Sequence, residues 1–181
     1  MKAVVLVSKT FFSQHPKAGN PTYFEQKILA GQIGAEGITF AENGQEKAVV
    51  GQKLHTCRSN FDFWKKKIER LKAVGGVLSV RQWSDKPYRS EQEVITDIPS
   101  SVVGIQKLTI KYGEHKFLPS VEGKIICLPE LAANDGLETY DFINWFKPVF
   151  EKENAEVLDF AIIHFTEFRY QIIKIKAEDE L

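Results

Sequence analysis

The 181-residue sequence predicts an α+β fold, a β-barrel or strongly bent mixed sheet with flanking helices. Three observations carry that expectation. Short β-prone runs crowd the middle of the chain, several of them alternating apolar and polar residues. Two segments show helical spacing and are bounded by capping and breaking residues. No βαβ rhythm and no repeat is present, which argues against a parallel, doubly wound sheet. With 43% hydrophobic residues and 13 Phe there is ample material for a core, which excludes a disordered chain. The length fits a single domain spanning 1–181.

The elements follow in order. AVVLV near the start reads as a strand, ended by the Pro- and Gly-containing loop SQHPKAGNP. Thr22 can then cap a helix over YFEQKILAG, with Phe24, Ile28 and Leu29 on one face and Gly31 as its stop. GITFAENGQEKAVVG predicts a hairpin turning at Asn43-Gly44. Asn60 caps FDFWKKKIERLKA, where Phe61, Trp64, Ile68 and Leu71 form an apolar stripe. VLSVRQW and YRSEQEVI flank the turn SDKP, and GIQKLTIKY and KIICL follow as strands. Pro129 opens a short PELAAND, Gly136 breaks it, and TYDFINWF forms a helix expected to stop before Pro148. LDFAIIHFTEFRY and QIIKIK close the chain as strands.

Formal charge is zero, yet its distribution is uneven. Between Lys53 and Ser90 stand ten basic and three acidic residues, so the remainder carries the compensating negative charge. A basic middle suits an anionic partner, although a solvated cationic face is the commoner origin of such a run. Lys65, Lys66 and Arg70 on the second helix and Arg81, Trp83, Tyr88 and Arg89 around the SDKP turn together offer phosphate contacts and a base-stacking surface. An aromatic pair across a hairpin also serves plain packing.

Cys57 and Cys127 lie seventy residues apart with no CxxC spacing, so neither a zinc site nor a disulfide framework is expected. His55 and His164 read as structural histidines, with His15 and His115 scattered; no metal and no cofactor is expected. The start lacks a signal-peptide cleavage pattern and no run approaches the roughly 18 apolar residues of a membrane span, which gives the expectation of a cytoplasmic protein with no membrane partner.

The segment GQKLHTCR at 51–58 is the chemically suggestive one. In a strand Thr56 and Arg58 share a side, and Lys53, an odd distance away, can join them only from the turn before the strand. Arg58 offers a permanently charged planar fork for phosphate, carboxylate or a polarised carbonyl. A lysine near an arginine, partly desolvated, has a lowered pKa and can act as a base, and Thr56 supplies a hydroxyl to attack or to orient water. The same residues also fit an ordinary strand with a solvent-facing arginine.

FEQKILAG, GQKLHTCR and NDGLETYDFINWF together resemble the conserved pieces of the ASCH domains, a branch of the PUA-like superfamily. The most specific element is Gly-x-Lys-x-x-Thr-x-Arg, met by Gly51, Lys53, Thr56 and Arg58. The resemblance implies a PUA-like β-barrel. It also implies that about 32–50, the hairpin, is an insertion, since in the family the helix ending in glycine runs directly into the lysine segment. For the family's acetylcytidine amidohydrolases it implies a reactive set of Lys53, Thr56 and a late glutamate whose position falls on Asp135, a carboxylate one methylene shorter. Two functions of different class follow. The broader is recognition of RNA or a modified nucleoside or nucleotide through a basic cleft around Lys53–Arg89. The alternative is a small amidohydrolase of an acylated nucleoside or, further off, a ribonuclease. Convergence of Asp135, Lys53 and Thr56 in a closed pocket favours the enzyme; dispersal of those groups beside an open basic face favours binding.

Overall fold

The structure, a computed structural model, describes residues 1–114 and 116–171. It is α+β, with strands in mixed sheets and four helices among the described residues. The first sheet joins β1 (Lys2–Leu6), β5 (Val77–Trp83) and β6 (Gln92–Pro99) in the order β1-β5-β6. β1 runs parallel to β5, and β5 pairs with β6 antiparallel, with a register shift between Val80 and Arg81. The second sheet is antiparallel, in the order β4-β10-β7-β8-β9: β4 (His55–Ser59), β7 (Gly104–Gly113), β8 (Lys116–Val121), β9 (Lys124–Ile125) and β10 (Val157–His164). A separate hairpin holds β2 (Gly37–Glu42) and β3 (Gln45–Val50).

The expected barrel does not close among the described residues, and VLSVRQW lies in a different sheet from GIQKLTIKY and AIIHFTEF. The reason is visible at β4, an edge strand among the described residues. Its outer side meets a side chain: the Cys57 N–H donates to the Asp135 carboxylate at 3.2 Å. The Arg58 guanidinium then bridges from β4 to the Leu6 carbonyl at the end of β1, so side chains link the two sheets where a barrel would have ladder bonds.

Helix α1 (Phe24–Ile33) outruns its predicted stop. The Thr22 hydroxyl ties down its start, accepting from Phe24 N and donating to the Ser8 carbonyl at 2.7 Å. Gly31 lies inside the helix because the chain passes close there: a Cβ would sit 3.1 Å from Leu54 Cδ2 and 3.3 Å from the Lys53 carbonyl oxygen. The helix ends instead at Gly34, whose N–H bonds back to the last turn. Helix α2 (Phe61–Ala73) is capped as expected, Asn60 Oδ1 accepting from Phe63 N at 3.1 Å, with Ile68 and Leu71 buried and Phe61 and Trp64 packed against the core. The Asn43-Gly44 hairpin also forms, both residues at positive φ as a tight hairpin turn demands.

Three differences remain in the second half. β8 is absent from the elements the sequence predicts, since Pro119 interrupts its strand pattern; Pro119 pairs opposite Ile110 and its carbonyl accepts from Ile126 N. KIICL contributes the two-residue β9, then α3 (Leu128–Asn134), with Pro129 in its first turn. Helix α4 (Thr139–Glu153) runs through Pro148. Proline there removes one backbone bond, but Phe142, Phe146 and Phe150 form a buried stripe on both sides of it and hold the helix to the core through Phe160 and Phe117. The first C-terminal strand is found as β10 up to His164, and the predicted strand over QIIKIK falls almost wholly on 172–181, outside the described residues.

Candidate active site

Lys53 precedes β4, as the alternation argument requires, in an isolated antiparallel bridge with Asp135. Its N–H donates to the Lys27 carbonyl at 2.9 Å and Leu54 N to the Asn134 carbonyl at 2.8 Å, so α1 and α3 grip the segment from both sides. The side chain is 1% exposed. Its ammonium donates to Asp135 Oδ1 at 3.0 Å and to the Asp135 carbonyl, and stands over the Phe24 ring at 4.1 Å from the centroid.

Asp135 follows the last residue of α3, where the negative end of the helix dipole disfavours a carboxylate. Compensation comes from Lys53, from Cys57 N–H and from His55 Nδ1 at 3.5 Å. Burial, the largest influence, pushes the carboxyl up, but the Lys53 ammonium and His55 together outweigh it and hold Asp135 below the usual carboxylate range. Burial lowers Lys53 from the ordinary lysine value against the opposing pull of Asp135. The amine is thereby brought closer to use as a base, with its conjugate acid still matched by a carboxylate.

Gly136, at φ +77°, turns the chain over this pair; a Cβ there would lie 3.0 Å from Lys53 Cβ. Lys27 reinforces the turn, donating to the Gly136 carbonyl at 2.7 Å, and its amine is lowered by burial and by Lys53.

Lys53, Thr56, Cys57, Arg58 and Asp135 line one cavity of about 20 Å³, walled by Phe24, Trp145 and Phe146. That is room for one water, given the ~10–15 Å³ a water needs. Arg58 Nε is buried without a partner among the described residues. Burial raises the Cys57 thiol well above its ordinary value, which leaves it a poor nucleophile. A larger cleft of about 390 Å³ adjoins, lined by Phe11, Lys17, Thr22, Tyr23, Lys27 and Gly136 among others. Its Tyr23 and Gly136 are chain neighbours of the cavity's Phe24 and Asp135.

The other predicted contact residues lie elsewhere. Lys65, Lys66 and Arg70 are exposed on α2, and Arg89 and Tyr88 are exposed at the β5–β6 turn, where the Tyr88 ring packs 5.4 Å from half-buried Trp83. Arg81 is engaged by Ser79 and Gln92. Of that basic set, Arg58 alone lines the Lys53 cavity. The sequence points to His55 only as a structural histidine and gives no sign of Tyr170 and Asn134, which sit behind Asp135; His55 and Cys57 alternate along β4 on the side of Asp135, a signal the period-2 pattern carries. His55, Cys57 and Asp135 present ligand atoms within 4.8 Å of one another. They suit a metal poorly, because the Lys53 ammonium occupies Asp135 and the thiol resists deprotonation.

No protein-family model matches the chain, and no curated protein or solved structure matches it. No helix among the described residues is long and apolar enough to cross a membrane.

Proposed function

We propose that the chain is a small amidohydrolase acting on an acylated nucleoside, on a PUA-like, ASCH-type scaffold carrying the β2–β3 hairpin as an insertion. The observation that carries this reading is the convergence of Lys53, Thr56, Arg58 and Asp135 on one closed cavity. In its neutral form Lys53 takes the proton of a water oriented by Thr56. That oxygen adds to the acyl carbon, while Arg58, with a buried N–H to spare, faces the charge growing on the carbonyl oxygen. Asp135 stabilises the Lys53 ammonium so formed. Collapse breaks the C–N bond, the ammonium returns its proton to the leaving nitrogen, and acid and amine are released. The nucleoside body fits the adjoining 390 Å³ cleft in size, its acyl end reaching past Phe24 once the 8–23 loop shifts.

The test is turnover of N4-acylated cytidine, followed by the cytidine released. Thr56→Val is nearly isosteric and should abolish hydrolysis with the thermal midpoint little changed. Wild-type turnover that survives Thr56→Val would overturn the roles, and absence of turnover on any acylated nucleoside would overturn the reading.

A second reading, recognition of RNA, keeps one specific observation in its favour: Tyr88 stands 87% exposed against Trp83, next to Arg89, a surface suited to stacking a base. It is independent of the cavity, and both properties can reside in one chain.

A further inference from the structure

Behind Asp135 lies a chain of buried polar groups that the proposed hydrolysis does not use. The Asn134 side-chain amide donates to the Tyr170 hydroxyl oxygen at 3.1 Å. That oxygen is 2.9 Å from His55 Nε2, and His55 Nδ1 is 3.5 Å from Asp135 Oδ1. Tyr170 and His55 are both buried, and Nδ1 has no hydrogen-bond partner among the described residues. The three groups come from three places in the fold: the end of α3, the start of β4 and the segment after β10.

The direction of the protons follows from the donors. The phenol oxygen receives the Asn134 N–H on a lone pair, and its own proton is free to be donated to His55 Nε2. The imidazole then carries its proton on Nδ1, aimed at the carboxylate. The opposite tautomer would set a ring lone pair against a carboxylate oxygen at 3.5 Å in a dry interior, two acceptors face to face. Tyr170 is itself fixed: Gln106 Oε1 accepts from its N–H at 2.9 Å, and Gln106 Nε2 donates to its carbonyl at 3.0 Å. The same Gln106 oxygen accepts from His164 Nε2 at 3.0 Å, so His164, whose ring lies 5.6 Å from that of His55, is locked as the Nε2–H form. Among the described residues, the titratable and charged groups facing His55 are therefore Asp135, Lys53, Cys57, Tyr170 and His164.

We propose that His55 is a positioning residue for the Lys53–Asp135 pair, held as its Nδ1–H tautomer by Tyr170 and Asn134 so that the carboxylate is aimed at the amine. Its bearing on turnover rests on the hydrolase reading, whereas the tautomer and its effect on Lys53 do not.

The experiment separates the two. Nitrogen-15 NMR of the histidine rings at pH 7 should show His55 protonated at Nδ1 in the wild type and shifted toward Nε2–H in Tyr170→Phe, which removes the phenol proton. His55→Asn places an amide N–H where Nδ1 stood, and His55→Gln places one where Nε2 stood. Titration of Lys53, followed by its 13Cε shift, should move to lower pH in His55→Gln and Tyr170→Phe, since a carboxylate no longer oriented supports the ammonium less, and should stay near wild type in His55→Asn. If turnover is found, kcat should fall about tenfold or more in the first two with KM unchanged. A wild-type His55 in the Nε2–H form, or Asn and Gln variants with the same Lys53 titration, would overturn the proposal. The expected spectra without turnover on any substrate would leave His55 in this role and overturn only the hydrolase reading.

Discussion

Lys53 Nζ stands 3.0 Å from Asp135 Oδ1 across 82 residues of sequence, with both side chains closed off from solvent. A pair so buried contributes little net stability when whole, because desolvating both charges consumes most of the attraction, and costs much when halved. Lys53→Met should therefore destabilise the protein by about 3–5 kcal/mol, leaving a buried carboxylate without its cation. The double variant Lys53→Met/Asp135→Asn should recover most of that loss. Urea unfolding of the wild type, the two single variants Lys53→Met and Asp135→Asn, and the double variant measures it; a double variant as unstable as the sum of two singles would show that the pair is not a unit.

Gly136→Ala tests the turn above the pair. At φ +77° a Cβ is strained, and it meets Lys53 Cβ at 3.0 Å. The backbone conformation alone costs about 1–2 kcal/mol, and the push on Lys53 should depress turnover beyond what the lost stability explains. A variant with wild-type stability and turnover would contradict the described packing.

His164 supplies a pH dependence. Burial, with the nearby His55 and Arg169, lowers it to about 2. The unfolded chain binds this proton below about pH 6.5 and the folded chain does not, so stability is lost as pH falls from 6.5 toward 2. The slope is about 1.4 kcal/mol per pH unit for this group. His164→Gln keeps an N–H for Gln106 and should flatten the dependence between pH 6 and pH 4 by that amount. Parallel slopes for variant and wild type would count against a neutral buried His164.

If the α2 face and the Trp83–Tyr88 pair bind RNA, affinity should fall steeply as salt rises, because neutralised phosphates release counterions. The triple replacement Lys65→Ala, Lys66→Ala, Arg70→Ala should weaken binding across sequences, and Trp83→Ala should cost about 1–3 kcal/mol if a base stacks there. Salt-independent binding, or none at low salt, speaks for the cavity alone.

Local signals in the sequence were sufficient where structure is decided locally. The Asn60 cap, the Asn43-Gly44 hairpin and the apolar stripe of α2 each depend on residues within a few positions, and each is found. The placement of Lys53 ahead of β4 also follows from simple alternation. Failures occur where distant chain decides. Gly31 looked like a helix stop, but its lack of a side chain answers to Lys53 and Leu54 passing beside it. Pro148 looked like a helix end, but the phenylalanine stripe outweighs the one bond it removes. No pattern in the sequence announces that Tyr170 reaches His55, because 115 residues separate them and nothing periodic connects them.

The near-total burial of the Lys53 amine gives it a use as a chemical clock. Amine-acylating reagents at low concentration will modify exposed lysines such as Lys65 and Lys66 at once, and Lys53 only when the chain over it parts. Mass-spectrometric timing of its modification thus counts openings of this one cavity. Two different events can be told apart by denaturant: a rate that rises steeply with urea reports global unfolding, and one that hardly changes reports local parting of the Gly136 turn or of the 8–23 loop. A compound that occupies the cavity will slow this clock whether or not it is ever turned over, so ligands can be sought through a lysine before any reaction is known.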